Sequence, residues 1–271
     1  MNIILYGNCQ FEAIKIILKK VLNNKYNIDY ISNYKCIIEN KPINIDIINK
    51  YNIFIYQPIK DDKGLHSTKY ILENIKKNII CISIPYIYNT GMWCLVLNNN
   101  NLINGFNNSY TYFNENTRVS GIEYLKEKDI KLLYNKFINN ELFFNLKKRF
   151  IESLYKLKNI EKKTDIIISD YIENNYKNIQ MFYRDCHPSL EVIKEIVKRI
   201  LKFLNILENT IINNINNIYD LNEFKMLTKG YIPITKYERQ ELNLNFEINN
   251  YFENENNNWK IYYKNLLDNI I

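Results

Sequence analysis

The chain has 271 residues, of which 46% are hydrophobic and 24% are charged, so it is long enough and apolar enough to fold around a sizeable buried core. This composition excludes an intrinsically disordered protein. The formal net charge of +7 suits a phosphate-bearing partner. The lysines are scattered rather than clustered, however, and this disfavours binding to nucleic acid.

The cysteine pattern bears on the cellular compartment and on two kinds of cysteine site, disulfides and zinc. There are five of them, an odd number, at irregular spacing and without a CxxC pair. This pattern argues against a disulfide framework and against a cysteine-based zinc site, so we expect no metal. The sequence also shows no signal-peptide pattern and no apolar run that could span a bilayer. We therefore expect a cytoplasmic protein without a membrane span.

Short apolar runs that alternate with segments of helical periodicity predict an α/β fold. Ser67 and Ser189 are placed to cap two of the helices. Alternation of this length is typical of a mainly parallel sheet flanked by helices. The predicted strands cover residues 2–6, 26–32, 52–56, 79–84 and 180–183, and the predicted helices cover residues 10–22, 67–77, 120–159, 165–174 and 190–204.

The later part of the chain carries weaker patterns. Residues 86–113 form a long irregular stretch, and the helical region after it is predicted to be an insertion. After residue 205 the sequence becomes polar and rich in asparagine, until a last helix predicted at residues 259–271. We therefore predict a core domain over residues 1–205 and a C-terminal appendage or linker region over residues 206–271. The sequence leaves open both a homo-oligomer and fusion to a further C-terminal domain.

The most informative segment is the end of the first strand, Gly7-Asn8-Cys9-Gln10, which leads directly into a helix. The helix dipole and the free backbone N–H groups at such a position favour a thiolate. In open α/β sheets, ligands bind beyond the carboxyl ends of the strands, and Cys9 lies at such an end. The competing interpretation is a small buried residue, since free cysteine is often buried. The position favours a nucleophile.

A base for this nucleophile is available late in the chain, where His187 precedes Pro188 at the start of another helix. The proline keeps His187 out of that helix, which leaves the imidazole free to face the edge of the sheet. Asp185 could orient the ring. The competing interpretation is a histidine that bonds only to backbone groups. The other histidine, His66, fits a surface loop better than a site.

Four segments of the sequence resemble, in order, the conserved blocks of the WcbI family. Gly7-Asn8-Cys9-Gln10 resembles the family's GNCQ signature. The other three are Tyr56-Gln57-Pro58, residues 83–88 with Gly91, and Met181-Phe182-Tyr183 with His187-Pro188. The resemblance covers roughly residues 1–205. It implies a coenzyme A-dependent acetyltransferase of polysaccharide biosynthesis, with acetyl-CoA as co-substrate and a sugar or nucleotide sugar as acceptor.

The arrangement is also similar to that of SGNH-type esterases, which implies a three-layer, SGNH- or Rossmann-like architecture. Those enzymes carry their nucleophile in the first block and an Asp-x-x-His-Pro sequence in the last. This chain has Cys9 in place of serine, and Arg184, not an acid, lies three residues before His187. The departure weakens the case for a strict aspartate-oriented triad and leaves Asp185 as the candidate third catalytic residue.

The resemblance implies binding roles for residues in and beside these blocks. Arg184 ranks first for the phosphates of the cofactor because a guanidinium there would lie beside the histidine. Backbone N–H groups at residues 8–10 would stabilise an oxyanion. The predicted cofactor-binding residues are Gly7, Asn8, Gln10 and Arg184, and the predicted substrate-binding residues are Gln57, Pro85 and Tyr88.

Two mechanisms and two other functions remain open from the sequence. His187 either deprotonates Cys9, whose thiolate takes up the acetyl group, or deprotonates the sugar while Cys9 only lines the oxyanion site. The enzyme alternative is a cysteine-dependent esterase or deacetylase of the same fold. The non-enzyme alternative is a module that binds coenzyme A or a glycan. The sequence does not indicate which sugar accepts the group, or whether through oxygen or nitrogen.

Overall fold

A computed structural model of the chain describes residues 2–22, 25–93 and 146–252. These residues fall into two compact units, each assembled from segments that are distant in sequence. Of the described residues, the first unit holds 2–22, 25–87, Lys156–Asn174 and His187–Lys229, and the second holds 88–93, 146–155, Asn175–Cys186 and 230–252. The division does not follow the predicted boundary at residue 205, because the helices on either side of that residue pack together within the first unit.

The first unit is built around a four-stranded parallel sheet. Its strands are β1 (Asn2–Gly7), β2 (Asn27–Ser32), β3 (Ile53–Tyr56) and β4 (Ile80–Ser83), in the spatial order β2-β1-β3-β4. Gly7 pairs with Ser32, Tyr6 with Tyr56, and Tyr56 with Ser83. The carboxyl ends of all four strands therefore meet at one edge of the sheet.

The described helices and the two remaining described strands are numbered here in chain order. None of these helices is long and apolar enough to cross a membrane. The helices are α1 (Cys9–Val21), α2 (Asn33–Ile38), α3 (Ile45–Ile48), α4 (Thr68–Asn74), α5 (Leu146–Glu161), α6 (Ser169–Asn175), α7 (Leu190–Phe203), α8 (Asn209–Asn216), α9 (Lys225–Thr228) and α10 (Lys236–Leu242), the strands are β5 (Phe182–Arg184) and β6 (His187–Pro188), and short 3-10 turns cover Asp61–His66, Leu221–Phe224 and Asn250–Phe252.

Alternation of side chains along β1 and β3 gives the sheet two buried faces. Ile4, Tyr6 and Phe54 pack in one cluster with residues of α3 and α4. Ile3 and Leu5 point to the opposite face, where α1 packs against β1 and β2. Burying one such side chain completely contributes about 1.5–3 kcal/mol, so both faces hold the sheet in place. A parallel sheet with helices on both faces confirms the predicted α/β fold class.

The C-terminal helices of the first unit pack on α1. Ser189 caps α7 through its side-chain oxygen, which accepts a hydrogen bond from the Val192 N–H, as the sequence predicts. α7, α8 and α9 all contact α1. The helix that begins at Cys9 is therefore held by the sheet on one side and by late segments of the chain on the other. The helices predicted at residues 120–145 and 259–271 lie outside the described residues.

Candidate active site

The turn between β1 and α1 presents Cys9 as the first residue of the helix. Asn8 is the N-cap, and its side-chain oxygen accepts a hydrogen bond from the Gln10 N–H at 3.0 Å. The Asn8 carbonyl accepts from the Phe11 N–H and from the Tyr30 hydroxyl, each at 3.0 Å. Cys9 itself is partly exposed. The cap therefore fixes the helix start, and the thiol sits where the helix dipole favours a thiolate.

The Tyr30 hydroxyl donates a hydrogen bond to this turn. Burial, with smaller contributions that include the nearby Cys9, raises the pKa of its hydroxyl to about 12. The hydroxyl stays protonated at neutral pH and donates to the Asn8 carbonyl. The turn that carries Cys9 is thus tied to β2 as well as to its own helix.

Gly7 is required by the close packing of this turn. A Cβ added at Gly7 would lie 2.3 Å from the ring of Phe11, which is fully buried. Real Cβ atoms do not approach other atoms so closely, so the ring would have to move. The glycine in the GNCQ signature therefore serves packing, and its predicted contact with the cofactor stays a prediction.

We expect Gly7→Ala to destabilise the protein by about 1–3 kcal/mol, because the displaced ring has no space in the core. Thermal unfolding would show a fall in Tm of roughly 2–4 °C for each kcal/mol lost. The matched control is the same substitution in a Phe11→Leu background. There the added methyl group should cost clearly less, and an equal cost in both backgrounds would contradict the proposed clash.

Gln10 ties the start of α1 to the segment that follows β4. It is 1% exposed, and its Nε2 donates a hydrogen bond to the Ile87 carbonyl at 2.8 Å. Pro85, at the start of the same segment, is buried at the carboxyl edge of the sheet. The structure thus shows that the Gln10 side chain positions the segment after β4. Its binding to a cofactor and that of Pro85 to a substrate stay predictions.

Two buried amides, Gln57 and Asn33, lie at the same edge, one on each side of β1. Gln57 directly follows β3, and its N–H donates to the Tyr6 carbonyl at 2.9 Å. Its side chain is 5% exposed, and Oε1 accepts a long hydrogen bond of 3.5 Å from Nδ2 of Asn33. Nε2 of Gln57 has no acceptor among the described residues. Leaving such a buried donor unpaired costs about 1–3 kcal/mol.

His187, on β6, is held by a backbone carbonyl. Its Nδ1 lies 2.9 Å from the carbonyl oxygen of Leu227 in α9. A carbonyl oxygen can only accept, so Nδ1 donates in this contact, and whenever the ring is neutral Nε2 is the nitrogen that can accept a proton. α9 contacts both β6 and α1, so the helix that begins at Cys9 and the strand that carries His187 pack on the same short helix. Leu227 could not be predicted from its residue type, because the contact uses its backbone.

Arg184, Asp185 and Tyr88 belong to the second unit. Nε of Arg184 donates to Oδ1 of Asp185 at 3.1 Å, and the two side chains are 12% and 25% exposed. Gly230 leaves room for the guanidinium, because a Cβ there would lie 2.7 Å from its Nη1. Tyr88 is partly buried. The described partner of the Asp185 carboxylate is thus Arg184, and the predicted roles of all three residues stay predictions.

The surroundings of two other thiols, those of Cys36 and Cys81, disfavour their ionisation. Burial is the main cause that raises the pKa of both Cys36 and Cys81, and the carboxylates of Glu39 and Asp165, respectively, add to it. Both cysteines pack against the cluster on one face of the sheet. Neither shares the helix N-terminus that Cys9 occupies.

We expect iodoacetamide near neutral pH to alkylate Cys9 roughly tenfold or more faster than Cys36 and Cys81, because only the thiolate reacts. Peptide mass spectrometry after short exposures would give the three rates. Protein unfolded in urea is the control, and the rates should converge there. Faster labelling of Cys36 or Cys81 in the folded protein would contradict the expectation.

His66 is not the surface histidine that the sequence predicts. Its side chain is 7% exposed, and neither ring nitrogen has a partner among the described residues. Gly64, at φ 55°, kinks the 3-10 turn, and Thr68 then returns to Ile59 through two hydrogen bonds. This closed loop turns His66 inward. Within the described ranges, no group of three or more histidine, cysteine or acidic residues could hold a metal ion.

Comparison with known proteins gives two matches. A family model described as "Polysaccharide biosynthesis enzyme WcbI" matches residues 2–209. A solved structure of WcbI, described as a novel polysaccharide biosynthesis enzyme, is similar over 100% of this chain and 99% of its own chain, with a TM-score of 0.52 and 12% sequence identity. It is the native protein without a disulfide bond between coenzyme A and one of its cysteines. At this identity the likeness shows the fold alone. No curated protein matches the chain.

The family match covers most of the chain and includes all four segments that carry the resemblance, from the GNCQ turn to the His-Pro pair. The parallel sheet and its helices agree with the fold of the solved structure. The chain therefore belongs to the WcbI family of polysaccharide biosynthesis enzymes.

Proposed function

We propose that this enzyme transfers an acetyl group from acetyl-CoA to a sugar or nucleotide sugar, with Cys9 as nucleophile and His187 as base. The observation that carries the proposal is the position of Cys9. It is a partly exposed thiol, the first residue of α1, at the carboxyl edge of a parallel sheet. This is the edge at which open α/β sheets bind ligands, and a helix N-terminus favours the thiolate that attacks a thioester.

The contacts of His187 support its role as the base. The Leu227 carbonyl holds Nδ1 in the protonated form, and this leaves Nε2 as the atom that can accept a proton. The same carbonyl orients the ring. Asp185, which pairs with Arg184, would then act on the ring only indirectly.

The transfer needs no energy source, because one thioester replaces another. His187 takes the Cys9 proton, and the Cys9 sulfur forms a bond to the acetyl carbon. The bond from that carbon to the sulfur of coenzyme A breaks, and the leaving sulfur takes the proton from His187. In the second half, His187 deprotonates the acceptor hydroxyl or amine, whose oxygen or nitrogen bonds to the acetyl carbon. The bond from that carbon to the Cys9 sulfur breaks, and the sulfur takes the proton from His187. Backbone N–H groups near the Asn8–Gln10 turn, other than the Gln10 N–H that donates to the Asn8 side chain, would stabilise the oxyanion in both halves.

Binding of coenzyme A is part of the proposal. The solved WcbI structure is described in terms of coenzyme A and a cysteine, and the net charge of +7 suits a ligand that carries phosphates. Gly7, Asn8 and Gln10 would place the turn beside the thioester. Arg184 would bind the phosphates while its guanidinium also pairs with the Asp185 carboxylate. The family description supports a glycan acceptor, and we place the reaction in the cytoplasm, where acetyl-CoA is available.

The experiment is incubation of the purified protein with acetyl-CoA, followed by peptide mass spectrometry and a thiol assay for released coenzyme A. We expect one acetyl group on the Cys9 peptide and its loss when a sugar acceptor is added. Calorimetric titration with acetyl-CoA measures binding separately. Binding without acetylation, turnover or acceptor product would indicate a binding module, and hydrolysis of acetylated sugars instead of transfer would indicate an esterase.

A further inference from the structure

The Gln57 side chain is a buried donor for which the described part of the chain offers no acceptor. Gln57 is 5% exposed, and Nε2 has no partner among the described residues. Its backbone N–H donates to the Tyr6 carbonyl, so the hydrogen-bond ladder between β3 and β1 extends one residue beyond the end of β3. Buried donors are nearly always paired in native proteins, and each exception calls for an explanation. Because no described residue accepts from Nε2, a bound ligand is the explanation that we pursue.

Asn33 determines which end of the Gln57 amide is engaged. It is 6% exposed, and its Nδ2 donates to Oε1 of Gln57. Because Oε1 is the end that Asn33 holds, the NH₂ end is the one left to donate. Asn33 and Gln57 follow β2 and β3, the two strands that flank β1. The two residues therefore stand on either side of the strand that leads into Cys9.

We propose that Nε2 of Gln57 donates a hydrogen bond to the carbonyl oxygen of the acyl group while that group is attacked by Cys9, and that Asn33 is the positioning residue that holds the Gln57 amide in this orientation. The inference rests on the proposed function and adds a side-chain donor to its oxyanion site. As the Cys9 sulfur bonds to the acyl carbon, the negative charge moves from sulfur to the carbonyl oxygen. It passes to the leaving group when the tetrahedral intermediate collapses.

The position of the amide makes such a donor effective. An N–H group that is already buried and oriented does not have to reorganise when the charge develops, and it acts where water is excluded. Removing one donor of this kind lowers the rate by about 10²–10³-fold in enzymes that depend on it. A neutral amide also suits the task, because it adds no charge that would attract the Cys9 thiolate before the acyl group arrives.

The test compares two reactions of the same sulfur. Acylation by acetyl-CoA forms an oxyanion, whereas alkylation by iodoacetamide is a displacement at a saturated carbon and forms none. In Gln57→Met, which keeps the volume and removes the donor, we expect Cys9 acylation to slow by about 10²–10³-fold and Cys9 alkylation to keep its rate. Gln57→Met also removes the acceptor of Asn33 Nδ2, so we expect little net change in Tm, because one unpaired buried donor replaces another. Slower alkylation as well would indicate a damaged turn and would overturn the assignment.

Asn33→Asp tests the positioning role. The aspartate has the same shape but offers only acceptors, so it would draw the Gln57 NH₂ group towards itself and away from the acyl group. We expect acylation to slow by about tenfold or more, again with unchanged alkylation of Cys9. Asn33→Leu, which removes the polar contact without adding charge, should slow acylation less than Asn33→Asp does. A wild-type acylation rate in both variants would remove Asn33 from the proposal.

The outcomes separate this inference from the proposed function. If the wild-type protein is acylated by acetyl-CoA and Gln57→Met is acylated as fast, the inference fails and the proposed function stands. If the wild-type protein is not acylated by acetyl-CoA, p-nitrophenyl acetate serves as a small acyl donor that forms the same oxyanion at Cys9. A large effect of Gln57→Met on that reaction would support the inference without acetyl-CoA. The absence of an effect, or of acylation by either donor, would overturn it.

Discussion

Replacing Cys9 with serine is expected to lower acetyl transfer by about 10³-fold or more, because the attacking atom is lost while the rest of the site is kept. Serine is nearly the same size as cysteine, and Cys9 is only partly buried, so the fold should tolerate the change. The hydroxyl ionises at far higher pH than a thiol, and a helix N-terminus cannot make up that difference. Release of coenzyme A from acetyl-CoA, with and without a sugar acceptor, is the measurement.

The matched control is Cys36→Ser. Cys36 lies on α2, packs against the cluster on the sheet face, and has a thiol whose pKa is raised chiefly by burial. The chemical change is identical, but the site is different, so activity should be retained. Cys9→Ala then separates the two mechanisms. Full activity in that variant would contradict the acyl-enzyme route and leave only direct transfer to a sugar that His187 deprotonates.

The strands and the two main helices of the first unit could be predicted because their signals are local. Apolar runs identify β1 to β4, and helical periodicity identifies α1 and α7. The predicted start of α1 at residue 10 differs from the observed start at Cys9 by one residue, because the Asn8 side chain caps the helix one step earlier. Such a shift is small for a helix boundary, yet it decides that Cys9 is the first helical residue.

The sequence pattern does not reveal the helices just after residue 205, because these helices depend on tertiary contacts. α8 contains four asparagines in eight residues, and asparagine is a weak helix former. The helix packs on α7, and the buried Lys194 of α7 donates to the Asn216 carbonyl at its end. Periodicity in a short sequence cannot show such support. The sequence therefore identifies neither α8 nor α9, and the appendage after residue 205 stays a prediction.

The site was only partly accessible from sequence for a related reason. Cys9 and His187 stand out as residue types in unusual positions, so they could be named in advance. Leu227 contributes a carbonyl oxygen, which every residue has, and Asn33 becomes a neighbour of Gln57 only because β1 lies between β2 and β3. Strand order arises from the packing of the whole sheet and cannot be predicted from the sequence around residue 33.

Replacing His187 with alanine is expected to lower acetyl transfer by about 10²–10⁴-fold, the usual contribution of a general base. Nε2 is the atom that can take the proton, because the Leu227 carbonyl holds Nδ1. Imidazole added to the buffer should restore part of the activity of His187→Ala. The control is His66→Gln, at the only other histidine of the sequence, which should keep its activity and show no response to imidazole.

The same variant shows which proton His187 moves. If His187 activates Cys9, then His187→Ala will fail to become acetylated when it is mixed with acetyl-CoA. If His187 acts on the sugar alone, the variant will accumulate acetyl-Cys9 and fail only when the acceptor is added. His187→Gln offers a second measurement, because its amide N–H can still donate to the Leu227 carbonyl although it cannot act as a base. Normal activity in His187→Gln would contradict both versions of the mechanism and leave the histidine with a purely positional role.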